Sequence, residues 1–498
     1  MTAFVLDVAR WAAPVTSILW LPGALALAGA ALGMTADMTG RSRLGLAIVT
    51  TGTALAAVLT LGSAFLGMAA PDEAFSVVFG AVVGGGSFSA MAFVVYGVAL
   101  MALSTGLRSV SDARRVPAAA LMAISAVAGQ VAMGSGDMLV LFVAIEMLAL
   151  AGYALVSASA NRRADEAAMR YFVQGAVSTG LFAYGVAVLI GAHGGVSFSA
   201  DLYDAVASDP LLLATLPFVL VLVSMTFKAG AFPFHSWVPD AYETAPASLA
   251  GFLASGPKAA VLTALVVVFG RSFWAQEAFS DLHGLIGVLA AGSIIFGNLA
   301  ALKQRDVGRM LGYSGIAQVG YALVGVTAMA PSTTLFATSY AIAISVAFTC
   351  LDAYRRLQPD WDGSIEGLAG AGRRSPGVAF AMTAAMLSLT GIPLTAGFVG
   401  KFFVFLNSLD SGLLWLVVLG AAGSVVSFGY YGKVIRAMYL EDTEGDEQSA
   451  DVGIRAPEPA AGERPRVWPA VVGALIVLGI GTVPLASGFG GLLRFFGV

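Results

Sequence analysis

Charge is what this sequence has least of. Only 11% of its 498 residues are Asp, Glu, Lys or Arg, against about 25% in an ordinary soluble domain. So few charges cannot cover a water-facing surface of this size. That excludes a soluble enzyme, a nucleic-acid binder and a disordered chain. Cysteine is scarcer still. Cys350 is the single one, so an internal disulfide, a four-cysteine iron–sulfur site and a structural zinc site are all excluded. His193, His235 and His283 are the three histidines, a poor basis for bis-histidine haem ligation. The chain is therefore expected to hold no cofactor and no metal. The glycine run Gly84–Gly86 lacks the strand-to-helix setting of a nucleotide site.

Apolar length is what the sequence has in excess. Hydrophobic residues make up 58% of it, and the mean hydropathy is +0.85. A membrane span takes roughly 20 apolar residues. Apolar runs between polar breaks predict fourteen spans, at 13–34, 45–68, 89–107, 117–136, 138–159, 171–192, 211–232, 248–270, 283–302, 307–327, 333–352, 377–400, 412–438 and 467–490. The expected fold class is an all-α polytopic membrane protein with about fourteen transmembrane helices. The first span reads as a retained anchor, because Asp7 beside Arg10 is a poor basic start for a cleaved signal.

Loop charges test this reading independently, since Lys and Arg accumulate on the cytoplasmic side. Twenty of the 26 basic residues fall in the loops after odd-numbered spans, from Arg41 and Arg43 to Lys433, Arg436, Arg455, Arg464 and Arg466. Only Arg10, Arg271 and Arg494 lie on the opposite side. Both termini are then expected outside the cytoplasm. Residues 441–466, rich in Asp, Glu and Pro, read as a cytoplasmic loop. Residues 1–110 form an N-terminal group of three spans and 467–498 a last one.

The remaining basic residues are Lys228, Lys258 and Lys401, and all three fall in apolar stretches. Glu146 sits in the middle of Leu139–Ser157. A charge at the bilayer centre costs about 2.5–3.5 kcal/mol, so four isolated in lipid would cost on the order of 10 kcal/mol. They must face protein or water, and each other. The bland alternative is snorkelling to the interface, which a short glutamate cannot do. A buried lysine beside a glutamate can take and release a proton as the two approach and part. The pattern therefore points to a proton relay.

Two spans carry helix breakers. Gly230 and Pro233 follow Lys228, and Gly391 and Pro393 precede Lys401. Proline removes a backbone donor and clashes with the preceding turn, and irregular backbone at membrane depth must line protein or water. Spans 4–8 (117–270) and 9–13 (283–440) each hold five helices with the break in the fourth. Five is odd, so the second copy is expected to be inverted, giving two inverted five-helix repeats. Near the membrane surface, Asp137, Asp240 and Glu243 read as caps or solvated loop charges. His235 could extend the relay toward water, and Trp237 reads as an interface anchor.

The stretch from Phe227 to Glu243 (FKAGAFPFHSWVPDAYE) and the run Ser255-Gly256-Pro257-Lys258 resemble the antiporter-like, proton-pumping membrane subunits of complex I, NADH-quinone oxidoreductase. Leu387–Phe402, Ser424–Tyr431, Gly297–Leu302 and Tyr313–Tyr321 resemble the subunit N branch of that family. The resemblance runs from about Arg108 to Tyr439. It implies a hydrated axis of charge in which Glu146, Lys228, Lys258 and Lys401 match the family's glutamate and three lysines. It further implies flavin mononucleotide, iron–sulfur clusters and quinone in partner subunits, with antiporter-like neighbours, a lipid surround and no nucleic acid. The chain ends soon after its last predicted span, without the lateral helix of the largest family member.

Three positions depart from the pattern. Arg170 stands where lysine is usual and stays charged, a poor proton carrier that can still tune a neighbour. Gln318 stands where the Tyr-Ser motif usually ends in histidine, and Gly308 where lysine is common. Between Lys258 and Lys401, either water bridges the gap with Ser314 and Gln318 as hydrogen-bonding sites, or the path is interrupted. Two other functions fit the broken spans: a subunit of an Mrp-type sodium/proton antiporter, and a non-pumping structural subunit of a related hydrogenase or dehydrogenase. The Ala- and Gly-rich apolar composition points to a bacterial plasma membrane.

Overall fold

The computed structural model describes residues 21–69, 86–105, 107–159, 161–208, 211–270, 279–328, 332–441, 471–476 and 478. Sixteen helices carry the fold: α1 Leu21–Met38, α2 Ser42–Ala69, α3 Gly86–Ser104, α4 Asp112–Gly134, α5 Met138–Val156, α6 Arg162–His193, α7 Ala200–Ala207, α8 Leu211–Ala229, α9 Trp237–Thr244, α10 Ala247–Val268, α11 Ser280–Leu302, α12 Val307–Thr327, α13 Ser332–Leu357, α14 Pro376–Thr390, α15 Ala396–Asp410 and α16 Leu414–Leu440. The expected all-α membrane class holds.

Nine of the described helices are long and apolar enough to cross a membrane. Helices α3, α8 and α14 include shorter apolar stretches. At 21 residues, α12 is long enough but not among the nine, and most of it is buried. Its Ser314, Gln318 and Tyr321 meet protein, so lipid does not select against them. Most of the last predicted span, nearly all of 441–466, and Asp7, Arg10, Arg271 and Arg494 lie outside the described residues.

Short polar caps set the helix ends. Asp137 Oδ1 accepts from the Leu139 and Val140 N–H groups at 2.7 and 3.1 Å, opening α5. Asp306 Oδ1 accepts from the Arg309 N–H at 2.7 Å, opening α12. Each cap satisfies donors that a helix start leaves orphaned. The surroundings of the two caps also match. Asp137 bridges antiparallel to Ser197, and Asp306 to Ser364. The Met138 and Phe198 N–H groups bond across the first bridge, and Val307 and Ile365 across the second. The same local device thus opens both α5 and α12.

The breaks fall where glycine and proline stand. Helix α8 stops at Ala229, Gly230 takes φ +79°, and α9 resumes at Trp237. Helix α14 stops at Thr390, Gly391 takes φ +89°, and α15 resumes at Ala396, capped by Thr395. A residue with a Cβ at such a φ costs roughly 1–2 kcal/mol. Helix α10 packs on α13, and α9 on α12. Gly251 makes the first contact close, since a Cβ there would stand 2.7 Å from Phe348 Cβ.

A Cβ on Gly391 would also meet Lys401 Cδ at 3.0 Å. Gly391→Ala is therefore expected to lose stability and to displace Lys401. Gly412→Ala is the control, having φ +78° with nothing within 4 Å. Both variants are expected to lose thermal stability, Gly391→Ala the more, with any proton transfer through Lys401 reduced only by Gly391→Ala.

Candidate functional site

The three intramembrane lysines lie inside the protein, and Glu146 is partly buried. Lys228, Lys258 and Lys401 are 5%, 2% and 4% exposed. That removes the snorkelling alternative, because none of these ammonium groups reaches the interface.

Glu146 on α5 and Lys228 at the end of α8 form an ion pair, Nζ to Oε1 3.2 Å. Glu146 Oε2 accepts from Thr179 of α6 at 2.7 Å, and Lys228 Nζ donates to the Tyr153 hydroxyl at 3.2 Å. Gly175 makes room for Tyr153, since a Cβ there would stand 2.6 Å from Tyr153 Cζ. Three helices thus hold one carboxylate–ammonium pair whose mutual attraction offsets the desolvation of both members.

Lys401 is held differently. It follows its break, whereas Lys228 precedes its own, so the two lysines occupy opposite sides of the paired interruptions. Lys401 Nζ donates to the Leu389 and Thr390 carbonyls at 2.9 and 3.0 Å. These are the last carbonyls of α14, left without helical partners and carrying the negative end of its dipole. Gln318 Nε2 donates to the same Leu389 carbonyl at 2.7 Å. The Tyr321 ring lies beneath Lys401, 4.3 Å from Nζ to its centroid.

Lys258 has neither arrangement. It stands in α10 directly after Pro257, and its Nζ has no hydrogen-bond partner among the described residues. The rings of Tyr242 on α9 and Tyr340 on α13 face it at 5.3 and 6.0 Å. The structure therefore joins Glu146 to Lys228 directly, and leaves Lys258 and Lys401 as separate buried lysines.

Other expected sites move. Arg170 is exposed and pairs with Asp240 at 3.2 Å. Arg309 reaches Asp240 at 2.9 Å and Glu243 at 2.6 Å. Asp240 and Glu243 are thus members of an ion-pair cluster joining α6, α9 and α12, where the sequence suggested caps or solvated charges. Beside them, burial pushes the Asp306 carboxyl above its ordinary range, against the Arg309 N–H, which pulls it down. A Cβ on Gly308 would meet the Tyr242 carbonyl at 3.1 Å, so α9 crowds that position. His235 is partly buried against Phe296, ring centroids 4.3 Å apart. Trp237 is no interface anchor. It is buried, stacked 3.9 Å from Tyr171, and its Nε1 donates to the Phe227 carbonyl, which also accepts from the Gly230 N–H at the first break. Asp137 is a cap, as expected.

Sequence reasoning missed the hydroxyl-bearing side chains around these charges: Tyr153, Thr179, Tyr242 and Tyr340. One signal was available for Tyr153, which follows Glu146 by seven residues and so shares its helix face. Asp352, buried in α13 and paired with Arg356, was also missed. Among the described residues no group of His, Cys, Asp or Glu could hold a metal ion.

Fold and site together define a polytopic membrane protein with buried, titratable charge beside two interrupted helices. The family profile of NADH:quinone oxidoreductase/Mrp antiporter transmembrane proteins matches residues 135–427, and the chain belongs to that family. It is 34% identical over 433 residues to NADH-quinone oxidoreductase subunit N of Hirschia baltica, covering 84% of this chain and 87% of the relative. Among solved structures, a chain of respiratory complex I from Thermus thermophilus with bound Aureothin superposes with a TM-score of 0.75. It is 27% identical and is covered to 98%, against 94% of this chain. A chain of the Mrp complex from Dietzia sp. DQ12-45-1b superposes with a TM-score of 0.80 at 20% identity, covering 97% of this chain and 96% of that one. This last likeness is one of fold alone.

Proposed function

We infer that this chain is a proton-translocating membrane subunit of an NADH-quinone oxidoreductase. The observation that carries the reading is the Glu146–Lys228 ion pair together with the buried Lys258 and Lys401, with Lys228 and Lys401 beside the two helix breaks. Buried charges that the fold could replace by apolar side chains are functional by default. In this reading the pair stores a proton on Lys228 while Glu146 is close, and the proton moves toward Lys258 and Lys401 when the pair opens. Quinone reduction elsewhere in the complex drives the opening, and protons leave on the outer side. The two five-helix runs, 117–270 and 283–440, act as inverted repeats around this axis. The recurring Asp137–Ser197 and Asp306–Ser364 bridges support that division.

The catalytic cofactors, flavin mononucleotide, iron–sulfur clusters and quinone, belong to partner subunits in this reading. The chain itself contributes positioned protonatable groups. Bacterial relatives and the basic loops support the reading of a bacterial plasma membrane with both termini outside. The alternative, an Mrp-type sodium/proton antiporter, shares the fold and the family profile.

A mild-detergent pull-down of the tagged chain from native membranes, with mass spectrometry, separates the two. Flavin and iron–sulfur subunits, together with antiporter-like neighbours, are the expected co-purifying partners. Recovery of small membrane partners alone, with sodium-dependent proton flux in vesicles, would move the assignment to the antiporter.

A further inference from the structure

A groove of about 530 Å³ runs along the outer face of α11, lined by Ile295, Phe296, Leu299 and Ala300 and ending inward at Phe232 and Gly292. Ile295, Phe296 and Leu299 are exposed in it. The first helix break fixes its inner end. The Phe232 N–H donates to Ser293 Oγ at 3.0 Å, and Gly292 admits the Phe232 ring, since a Cβ there would stand 2.7 Å from Phe232 Cδ1.

At its outer end the groove reaches Lys303 and Gln304, and these two also line a polar pocket of about 310 Å³. Groove and pocket are therefore continuous around the end of α11. The basic side chains of the pocket are Lys303, Arg305, Lys433 and Arg436, and the acidic ones are Glu366 and Glu441. Part of that charge is committed. Lys433 Nζ donates to the Leu302 carbonyl at 2.7 Å, and Arg436 pairs with Glu441 at 3.1 Å. Lys303 and Arg305 are exposed, and neither side chain has a partner among the described residues.

Length and charge together select the occupant. From Gly292 to Lys303 the helix rises about 16 Å at 1.5 Å per residue. One leaflet's share of a hydrocarbon core about 30 Å thick is about 15 Å. The groove thus matches the depth of one leaflet, and its mouth carries excess positive charge at the membrane surface. A helix of a neighbouring subunit would fill the groove but brings no obligatory anion to the mouth. The acidic residues that follow Glu441 in the sequence bring an anion but no apolar chain to the groove. A phospholipid with an anionic headgroup brings both, and basic pockets between helices at the cytoplasmic surface are suited to such headgroups.

We propose that an anionic phospholipid, from the leaflet beside the basic loops, binds along α11 with its phosphate on Lys303 and Arg305 and an acyl chain in the groove as far as Phe232. That chain covers Phe232 inside the first break, where its ring faces His235 at 5.5 Å between centroids. The site uses none of the buried charges, so it stands whether or not those charges move protons.

The test uses the intact complex reconstituted in phosphatidylcholine vesicles. A trace of phosphatidylglycerol carrying a photoreactive diazirine on one acyl chain is compared with phosphatidylcholine carrying the same chain, and adducts are mapped by peptide mass spectrometry. The phosphatidylglycerol probe is expected to label Phe232 and residues 292–300 about tenfold more than the other, the scale of two basic side chains acting on one headgroup. Lys303→Gln/Arg305→Gln is expected to abolish that preference with assembly on native gels unchanged. Leu299→Trp narrows the groove and is expected to lower labelling by both probes. Inorganic phosphate, added at matched ionic strength, is expected to leave the preference in place. Equal labelling by the two probes, a preference that survives the double glutamine variant, or undiminished labelling in Leu299→Trp would make the groove ordinary lipid boundary and overturn the site. Loss of the preference to inorganic phosphate would make the mouth a site for free phosphate. No labelling on α11, with other exposed helices labelled, would give the groove to a protein neighbour. Either of these last two results also overturns the proposal.

Discussion

Lys258→Ala is expected to lower NADH-driven proton translocation on the order of 10²-fold, the usual scale for loss of a positioned proton carrier, while the complex assembles at its normal level. The stability half of this expectation follows from the environment. Lys258 is buried in α10 with no carboxylate and no hydrogen-bond partner among the described residues. Its protonated form has only the faces of Tyr242 and Tyr340, worth about 0.5–2 kcal/mol. Removing an uncompensated cation relieves a desolvation cost, and the small cavity left behind offsets that gain. Lys258→Arg is expected to be as inactive as alanine. A guanidinium keeps its charge throughout the cycle and so cannot release a proton. Proton translocation is read as vesicle acidification on NADH addition, with assembly on native gels. Normal acidification by the arginine variant would mean that Lys258 serves as a fixed charge.

Glu146→Ala is expected to show the opposite balance, losing stability as well as activity. It strands Lys228, nearly inaccessible, against apolar helices with only the Tyr153 hydroxyl at 3.2 Å. Breaking a buried ion pair on one side costs about 3–5 kcal/mol, whereas replacing both members by apolar side chains is often neutral. Lys228→Met is expected to cost less, because Glu146 is partly exposed and keeps its bond from Thr179. Glu146→Met/Lys228→Met is expected to recover the assembled fraction and the thermal midpoint without recovering translocation. Midpoints that are the same in all three variants would show the pair to be energetically silent.

The helices, their breaks and the four buried charges were legible in the sequence because each rests on local chemistry. Gly230 and Gly391 stop helices through a backbone conformation that neighbouring residues cannot supply, and Lys258 is conspicuous in any apolar run. Helix α12 shows the limit of hydropathy: it meets protein, so Ser314, Gln318 and Tyr321 carry no penalty from lipid. What was not legible is what touches what across spans. Trp237 looked like an interface residue by type, yet it seals the carbonyl end of α8. Arg170 read as a charge that could tune a neighbour, and that neighbour, Asp240 on α9, could not be named from the sequence. Asp240 and Arg309 lie about seventy residues apart in the chain, and only the packing of α9 on α12 brings them to 2.9 Å. No spacing rule within one helix encodes that meeting.

The central claim is that buried charge in this chain moves protons. The most direct measurement is the number of protons translocated per NADH oxidised by the reconstituted complex, wild type against Lys228→Ala at matched assembly. The account predicts that the ratio falls, or that oxidation and translocation collapse together because they are coupled. A wild-type ratio at wild-type turnover would contradict it and leave the chain a structural subunit.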